Sequence, residues 1–467
     1  MEKQKSRLTC GAVLSALALS VSVVVGLASP AMAGDGDISQ FTLGNGLRVV
    51  VKEDHRSPTV AHMVWYKAGS LDEHNGISGV AHVLEHMMFK GTKVLKPGDF
   101  SKVVAALGGR DNAFTSRDYT AYFQQLQSKH LKRVMELEAD RMANLRLTEE
   151  EFKKEIQVVM EERRWRTDDQ AQGKLHEAFM ATAFHSNLTR NPVIGWMSDL
   201  EAMTYKDAQY WYNTWYTPQN AVVVVVGAVD PKQVQQWAGQ SYGKVKPKKL
   251  EAHKPQHEPK QEGTRRVEVK APAENPYLLI GFKVPKLENV KNDRDPYALT
   301  VLSAVLDGYS GARLNRELVQ DSKVAIQAGA SYDMTGRGPS LFLLDGTPTE
   351  GKTVADLEPL LLAHIQKVAE HGVSEHELTR VKAQLVASQV YKRDSVFAQA
   401  MEIGQTITLG FDVADMDTAI EKVKSVTAAE VQAVAARYFN ADQMTVGTLT
   451  PLPVNPNQQQ RPKGLRH

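Results

Sequence analysis

The sequence predicts an α+β protein built from two similar α/β-sandwich halves joined by a linker. Three observations carry that expectation. Residues 245–265 (VKPKKLEAHKPQHEPKQEGTR) are rich in Lys, Pro, Glu and Gln and hold almost no large apolar side chain. Such a stretch cannot bury a core and reads as an extended, solvated connection. The segments on either side are each about 200 residues, an ordinary domain size. Both segments also share one grammar. Each opens on β-rich runs, at 47–52 and 61–66 in the first and at 266–269 and 277–282 in the second. Each continues with helical patterns and closes on a strand, AVVVVV at 221–226 and MTVGTL at 444–449. Strands and helices mixed in this way suggest a sandwich in each half. The order resembles a duplication, without a strong residue-level repeat.

The ends divide off in the same manner. Lys3, Lys5 and Arg7 precede an apolar run from about Ala12 to Leu27 and then Pro30-Ala31-Met32-Ala33, the pattern of a secretory leader cut after Ala33. An uncleaved membrane anchor is the rival, but the run is short against the roughly 20 residues a span requires. The expected organisation is therefore a leader at 1–33, a first half at 34–244, the linker at 245–265, a second half at 266–450 and a Pro/Gln-rich disordered tail at 451–467. No stable membrane anchor is expected after cleavage, and the expected location is the periplasm. The one cysteine, Cys10, falls within the leader, so a metal site beyond it must use His and carboxylate ligands. The formal charge is +2, and the leader carries that excess. The remainder is close to neutral, which argues against a nucleic-acid or anionic-membrane partner.

Residues 78–91 (SGVAHVLEHMMFKG) read as a helix with Ser78 as N-cap and Gly91 as stop. Val80, Val83, Leu84, Met87 and Met88 cover one arc, and His82, Glu85, His86 and Phe89 cover the other. Almost nothing on this helix is an ordinary surface residue, so both faces should be buried, and buried ionisable groups need partners. Histidines at i and i+4 place two imidazoles one turn apart, which suits one zinc ion. Glu85 lies on the same arc, placed to take a proton from a water beside the metal. This is the spacing of the inverted zincin motif. A core helix with two satisfied histidines is the competing reading, and a third ligand would separate the two.

Thr148 and the three glutamates after it form a capping box opening a helix to about Trp165. Phe152, Val158 and Val159 share a face with Glu155 and Glu162, while Lys153, Lys154, Gln157, Glu161 and Arg164 lie mostly on the other. Two carboxylates inside an apolar stripe resist desolvation unless a cation compensates. Glu162 is thus the candidate third zinc ligand and Glu155 an orienting partner. Glu161 is the competitor for the ligand role but falls on the polar side.

HVLEHMMFKGT, GGRDNAFTSRDYTAY, EIQVVMEE and NPVIG together resemble the pitrilysin–insulinase–mitochondrial processing peptidase family. The resemblance runs from about Phe41 onward and is closest to the small bacterial members similar to the processing peptidase β subunit. It implies a zinc metalloendopeptidase of clamshell architecture that cleaves extended peptides. It implies one zinc per chain on His82, His86 and Glu162, with Glu85 as general base and Glu155 in support. Gly108-Gly109 reads as a turn, and residues 112–122 alternate like a strand. In the family the matching strand is a sheet edge that pairs with substrate, which implicates Asn112, Ala113, Phe114 and Thr115. Active members also hold the substrate carbonyl with an Arg and a Tyr seven residues apart. Arg337 is the candidate here, but Leu344 stands where the tyrosine should be. The incomplete pair implies a dimer, with a related subunit that lacks the zinc motif. A non-catalytic partner or scaffold is the alternative function. His185, His253, His257 and His376 are weaker candidates for any site role.

Overall fold

The apolar runs build two sheets in a computed structural model of the chain that describes residues 38–250 and 256–454. The expected leader, His253 and residues 455–467 lie outside these described residues. The first sheet contains β1 (Ile38–Thr42), β2 (Arg48–Glu53), β3 (Thr59–Tyr66), β4 (Arg110–Thr115), β5 (Thr120–Gln127) and β6 (Ala221–Gly227), in the order β1-β2-β6-β3-β5-β4. The second contains β7 (Arg265–Pro272), β8 (Tyr277–Val284), β9 (Ala325–Tyr332), β10 (Ser340–Pro348) and β11 (Met444–Leu452), in the order β7-β11-β8-β10-β9. In both sheets the closing strand inserts beside the opening one. Strand β6 runs parallel to β2 and antiparallel to β3, and β11 runs parallel to β7 and antiparallel to β8. The halves are therefore similar, as their grammar predicts, and β4 and β9 occupy corresponding edges.

AVVVVV is apolar without alternation because both faces of its sheet are covered. Val223 and Val225 face the helices of their own half, together with Val80, Val83, Leu84 and Met87. Val222, Val224 and Val226 face away, with Val50, Met63 and Trp65. That outer face is covered by Ala400, Ile403 and Ile407 of the helix Val396–Thr408, which belongs to the second half. The exchange is reciprocal. Leu175, Phe179 and Ala183 of the helix Ala171–Ala183, in the first half, pack on Ala271, Leu279 and Leu449 of the second sheet. Glycines permit the close approach: a Cβ on Gly404 would lie 2.1 Å from the Trp65 indole, and one on Gly281 would lie 2.7 Å from the Phe179 ring.

Several local expectations change. Residues 112–122 are not one strand but a hairpin, β4 and β5, turned at 116–119. The histidine helix is shorter than its pattern and spans Val80–Met87. Gly79, not Ser78, is its N-cap, at φ 86, and Ser78 instead donates to Asp199. Gly91 adopts φ 100 beyond the helix end rather than capping it. The Glu162 helix spans Glu149–Arg163, with the Thr148 hydroxyl accepting from Glu151 N, and then widens into a π-helical turn at Arg164–Asp168. Val158 is exposed, and Ile156 and Met160 fill the buried stripe with Phe152 and Val159.

The tail and linker also differ from expectation. Pro451 and Leu452 extend β11, pairing with Ala271 and Pro272. Residues 256–264 hold no regular structure and are mostly exposed, as expected, but two of their side chains anchor them. Glu258 accepts from the backbone of His185, Ser186 and Asn187 and from Lys283 Nζ. Gln261 is buried and donates to Met444 O. A polar segment can be fixed in this way because it supplies partners to backbone groups that would otherwise lack them. Among the described residues, no helix is long and apolar enough to cross a membrane.

Candidate metal centre

The histidine helix has no side-chain cap of its own. The buried Glu73 supplies one, accepting from Gly79 N at 2.9 Å and Ala81 N at 3.0 Å. Negative charge at a helix N-terminus is favourable, and two otherwise orphaned donors are satisfied. Gly79 also meets Gly195 of the NPVIG segment back to back. A Cβ on either would lie within 2.8 Å of the other's Cα. These contacts fix the helix that carries His82, Glu85 and His86.

The Glu162 helix crosses against it. His82 Nε2 lies 3.8 Å from Glu162 Oε1, and His86 Nε2 lies 3.3 Å from Glu162 Oε2. One donor atom each from His82, His86 and Glu162 lies within 4.8 Å of the others. The imidazole centroids are 4.8 Å apart and the rings are inclined by 74°. Burial, reinforced by the neighbouring His86, lowers the His82 pKa to about 3, so this ring is neutral near pH 7. Burial also opposes charge on His86, but hydrogen bonds to Glu155 and Glu162 outweigh it and raise its pKa to about 9. Burial would raise Glu162 as well. The bond to His86 and the charges of His86 and Arg166 prevail and hold it at about 2. A partly buried site with two imidazoles and an ionised carboxylate converging on one point suits a divalent cation of zinc's preferences. The donor set therefore fits zinc, and a bound cation would displace the proton on His86.

Glu155 accepts from His86 Nδ1 at 3.0 Å, which turns Nε2 toward Glu162. Its second oxygen is held by Lys90 Nζ at 2.5 Å. Glu85 is buried, and burial raises its pKa although the Thr115 hydroxyl donates to it. A carboxyl raised in this way is a better proton acceptor than an ordinary glutamate. Sequence reasoning thus brings His82, Glu85, His86, Glu155 and Glu162 together. It missed Lys90 and Arg166, each four residues beyond a ligand candidate, a spacing that could have exposed them. It also missed Glu73, which no local pattern marks.

The remaining candidates divide. Strand β4 is the sheet edge, with Asn112 opposite Phe123 and Ala113 opposite Tyr122. Asn112 is exposed, and its Oδ1 accepts from Ala113 N. Thr115 reaches Glu85, but Phe114 points to the opposite face and packs edge-on against Trp65 at 5.4 Å. Alternation along a strand requires that split. Arg337 is not brought to the histidines. Its guanidinium forks onto buried Asp72 at 2.9 and 2.6 Å, and its backbone N donates to Asp118. It ties the second half's β9–β10 loop to the first half. Leu344 is buried in the second core. His185 donates its backbone N–H to Glu258, and His376 lies in the first turn of the helix Glu375–Lys392. Neither belongs to the metal-ligand group, nor does His257.

The chain is also similar to known proteins. The family model for Insulinase (Peptidase family M16) matches residues 48–195, and that for the Peptidase M16 inactive domain matches residues 202–385. The chain is 33% identical to the zinc protease PqqE of Helicobacter pylori over 88% of its own length and 92% of that protein's. A protease crystal structure from Helicobacter pylori superposes with a TM-score of 0.84 at 32% identity, covering 89% of this chain and all of that one. The periplasmic protease PqqL of Escherichia coli shares the fold at 18% identity and a TM-score of 0.77, covering 91% of this chain but 49% of PqqL. A histidine pair with a converging glutamate, two similar halves and these matches lead to one assignment: the chain belongs to peptidase family M16, the insulinase family.

Proposed function

We propose that the chain is a zinc-dependent endopeptidase that hydrolyses extended peptides or unfolded polypeptides. The convergence of His82, His86 and Glu162 on one point, with Glu85 beside them and linked through Thr115 to the edge strand β4, carries this reading. One zinc per chain would be held by those three residues, and it would polarise the scissile carbonyl and acidify an adjacent water. Glu85 takes the proton from that water and passes it to the leaving amine. Glu155 keeps His86 oriented, and the open edge of β4 pairs with the substrate backbone. The test is zinc content and hydrolysis of an unstructured peptide by the purified protein. Absence of both would favour the alternative of a non-catalytic scaffold.

We infer a periplasmic location from the leader expected at residues 1–33. Immunoblotting of osmotic-shock fractions tests it.

We also propose that the active form is a dimer, with a related subunit that lacks the zinc motif. Two features support this. The chain covers about half of PqqL, so a longer relative contains room for two such units. Arg337 is engaged by Asp72, which leaves the group that holds the scissile carbonyl to be supplied from elsewhere. Robust hydrolysis by the isolated chain at monomer mass would overturn the dimer. Weak activity rescued by a zinc-motif-free relative would support it.

A further inference from the structure

Arg166 stands four residues beyond Glu162, on the π-helical turn Arg164–Asp168 that continues the Glu162 helix. Its Nη1 lies 2.8 Å from Oε1 of Glu162. That same oxygen faces His82, while Oε2 faces His86. Lys90 bears a parallel relation to Glu155: four residues beyond His86, it holds one oxygen while the other accepts from His86. Glu155 and Glu162 therefore each have one oxygen tied by a cation from outside the ligand set. For Glu155 this commits both oxygens. For Glu162 it leaves a carboxylate turned toward two imidazoles.

We propose that Arg166 is a positioning residue for the metal: by holding Glu162 turned toward His82 and His86, it sets how tightly the chain retains a divalent cation. The proposal rests on the reading of Glu162 as a zinc ligand. Two effects compete. The guanidinium charge repels an incoming cation, and the carboxylate it orients attracts one. The Arg166 side chain is 61% exposed, whereas that of Glu162 is 16% exposed. Repulsion from an exposed charge is weakened by the high dielectric of the water around it. The fixed orientation of a largely buried carboxylate is not, so orientation dominates. Partners of this kind typically change metal affinity about 10–100-fold. Lysine at this position would keep the charge but replace the planar guanidinium by a compact ammonium.

The experiment is zinc transfer from the full chain to a chromophoric chelator, giving a zinc affinity independent of catalysis. Arg166→Ala is expected to weaken zinc retention about tenfold or more. Arg166→Lys is expected to fall between it and wild type. Glu162→Ala is run alongside. If Glu162→Ala loses zinc but Arg166→Ala binds as tightly as wild type, or more tightly, the proposal is overturned and the ligand assignment stands. If Glu162→Ala retains zinc at wild-type affinity, the ligand assignment itself fails.

Discussion

The hydroxyl of Thr115, near the end of edge strand β4, donates to the carboxylate of Glu85 in the histidine helix. The strand proposed to bind substrate and the proposed base are thereby joined by one bond. Thr115→Val keeps the shape and removes the donor. It should leave zinc content unchanged and lower kcat/KM about tenfold, the scale of one hydrogen bond to a charged group. Thr115→Ser should recover most of the loss. Equal activity in the valine variant would show that the bond does not orient the base.

Zinc content tests the ligand set. Wild type should hold about one zinc per chain, and His86→Ala or Glu162→Ala should lose most of it. Glu161→Ala should keep it, since Glu161 is exposed and paired with Arg164. Metal analysis by mass spectrometry decides between the two glutamates.

Glu85→Gln should retain zinc yet lose peptide hydrolysis, because an amide cannot accept the proton. Glu155→Gln should be milder, costing about 10–100-fold. Near-wild-type turnover in the Glu85 variant would remove Glu85 from the role of base.

Glu258 gives a pH dependence of stability. Burial opposes its charge, but bonds from the backbone of His185, Asn187 and Ser186 and from Lys283 prevail and hold its pKa at about 2. The unfolded value is higher, about 4.5. The folded state therefore gains stability from this group above pH 4.5 and loses it as pH falls toward 2. Discounted for solvent screening, the contribution is about 1–2 kcal/mol. Urea midpoints of wild type and Glu258→Gln should differ at pH 7 and converge toward pH 2.

Gly404 is a steric test of the helix exchange. Gly404→Ala would drive a methyl into the Trp65 indole and should cost about 1–3 kcal/mol, or more if the helix cannot shift. Trp65→Phe should relieve part of that cost in the double mutant. Additive losses from the two changes would argue against direct contact.

Much of this site was legible in the sequence because helical periodicity is a local property. His82 and His86 must share a side at i and i+4, and Glu155 and Glu162 must fall in the stripe of Phe152 and Val159. Val158 misled the pattern because a helix wheel gives an arc and not the width of what covers it. Phe114 was grouped with Thr115 by proximity in sequence, although the strand period sends them to opposite faces. Glu73 and Arg337 were beyond local reading. Their partners, Ala81 and Asp72, are set by the packing of separate elements. The exchanged helices were beyond it too. An amphipathic pattern announces that a face is buried, not which sheet buries it.

The exchanged helices also govern how the chain can become folded. The outer face of the first sheet, including Trp65 and Met63, is closed only by residues near 400. As the chain emerges from its N-terminus, that sheet can pair its strands yet must keep an apolar surface bare until almost the whole polypeptide is present. Contacts so distant in sequence slow the search for the native state and prolong exposure to aggregation. Threading in extended form, which the proposed export would entail, would postpone that stage until translocation ends. Neither half cut at the linker would be a self-sufficient folding unit, because each carries away the helix that shields the other.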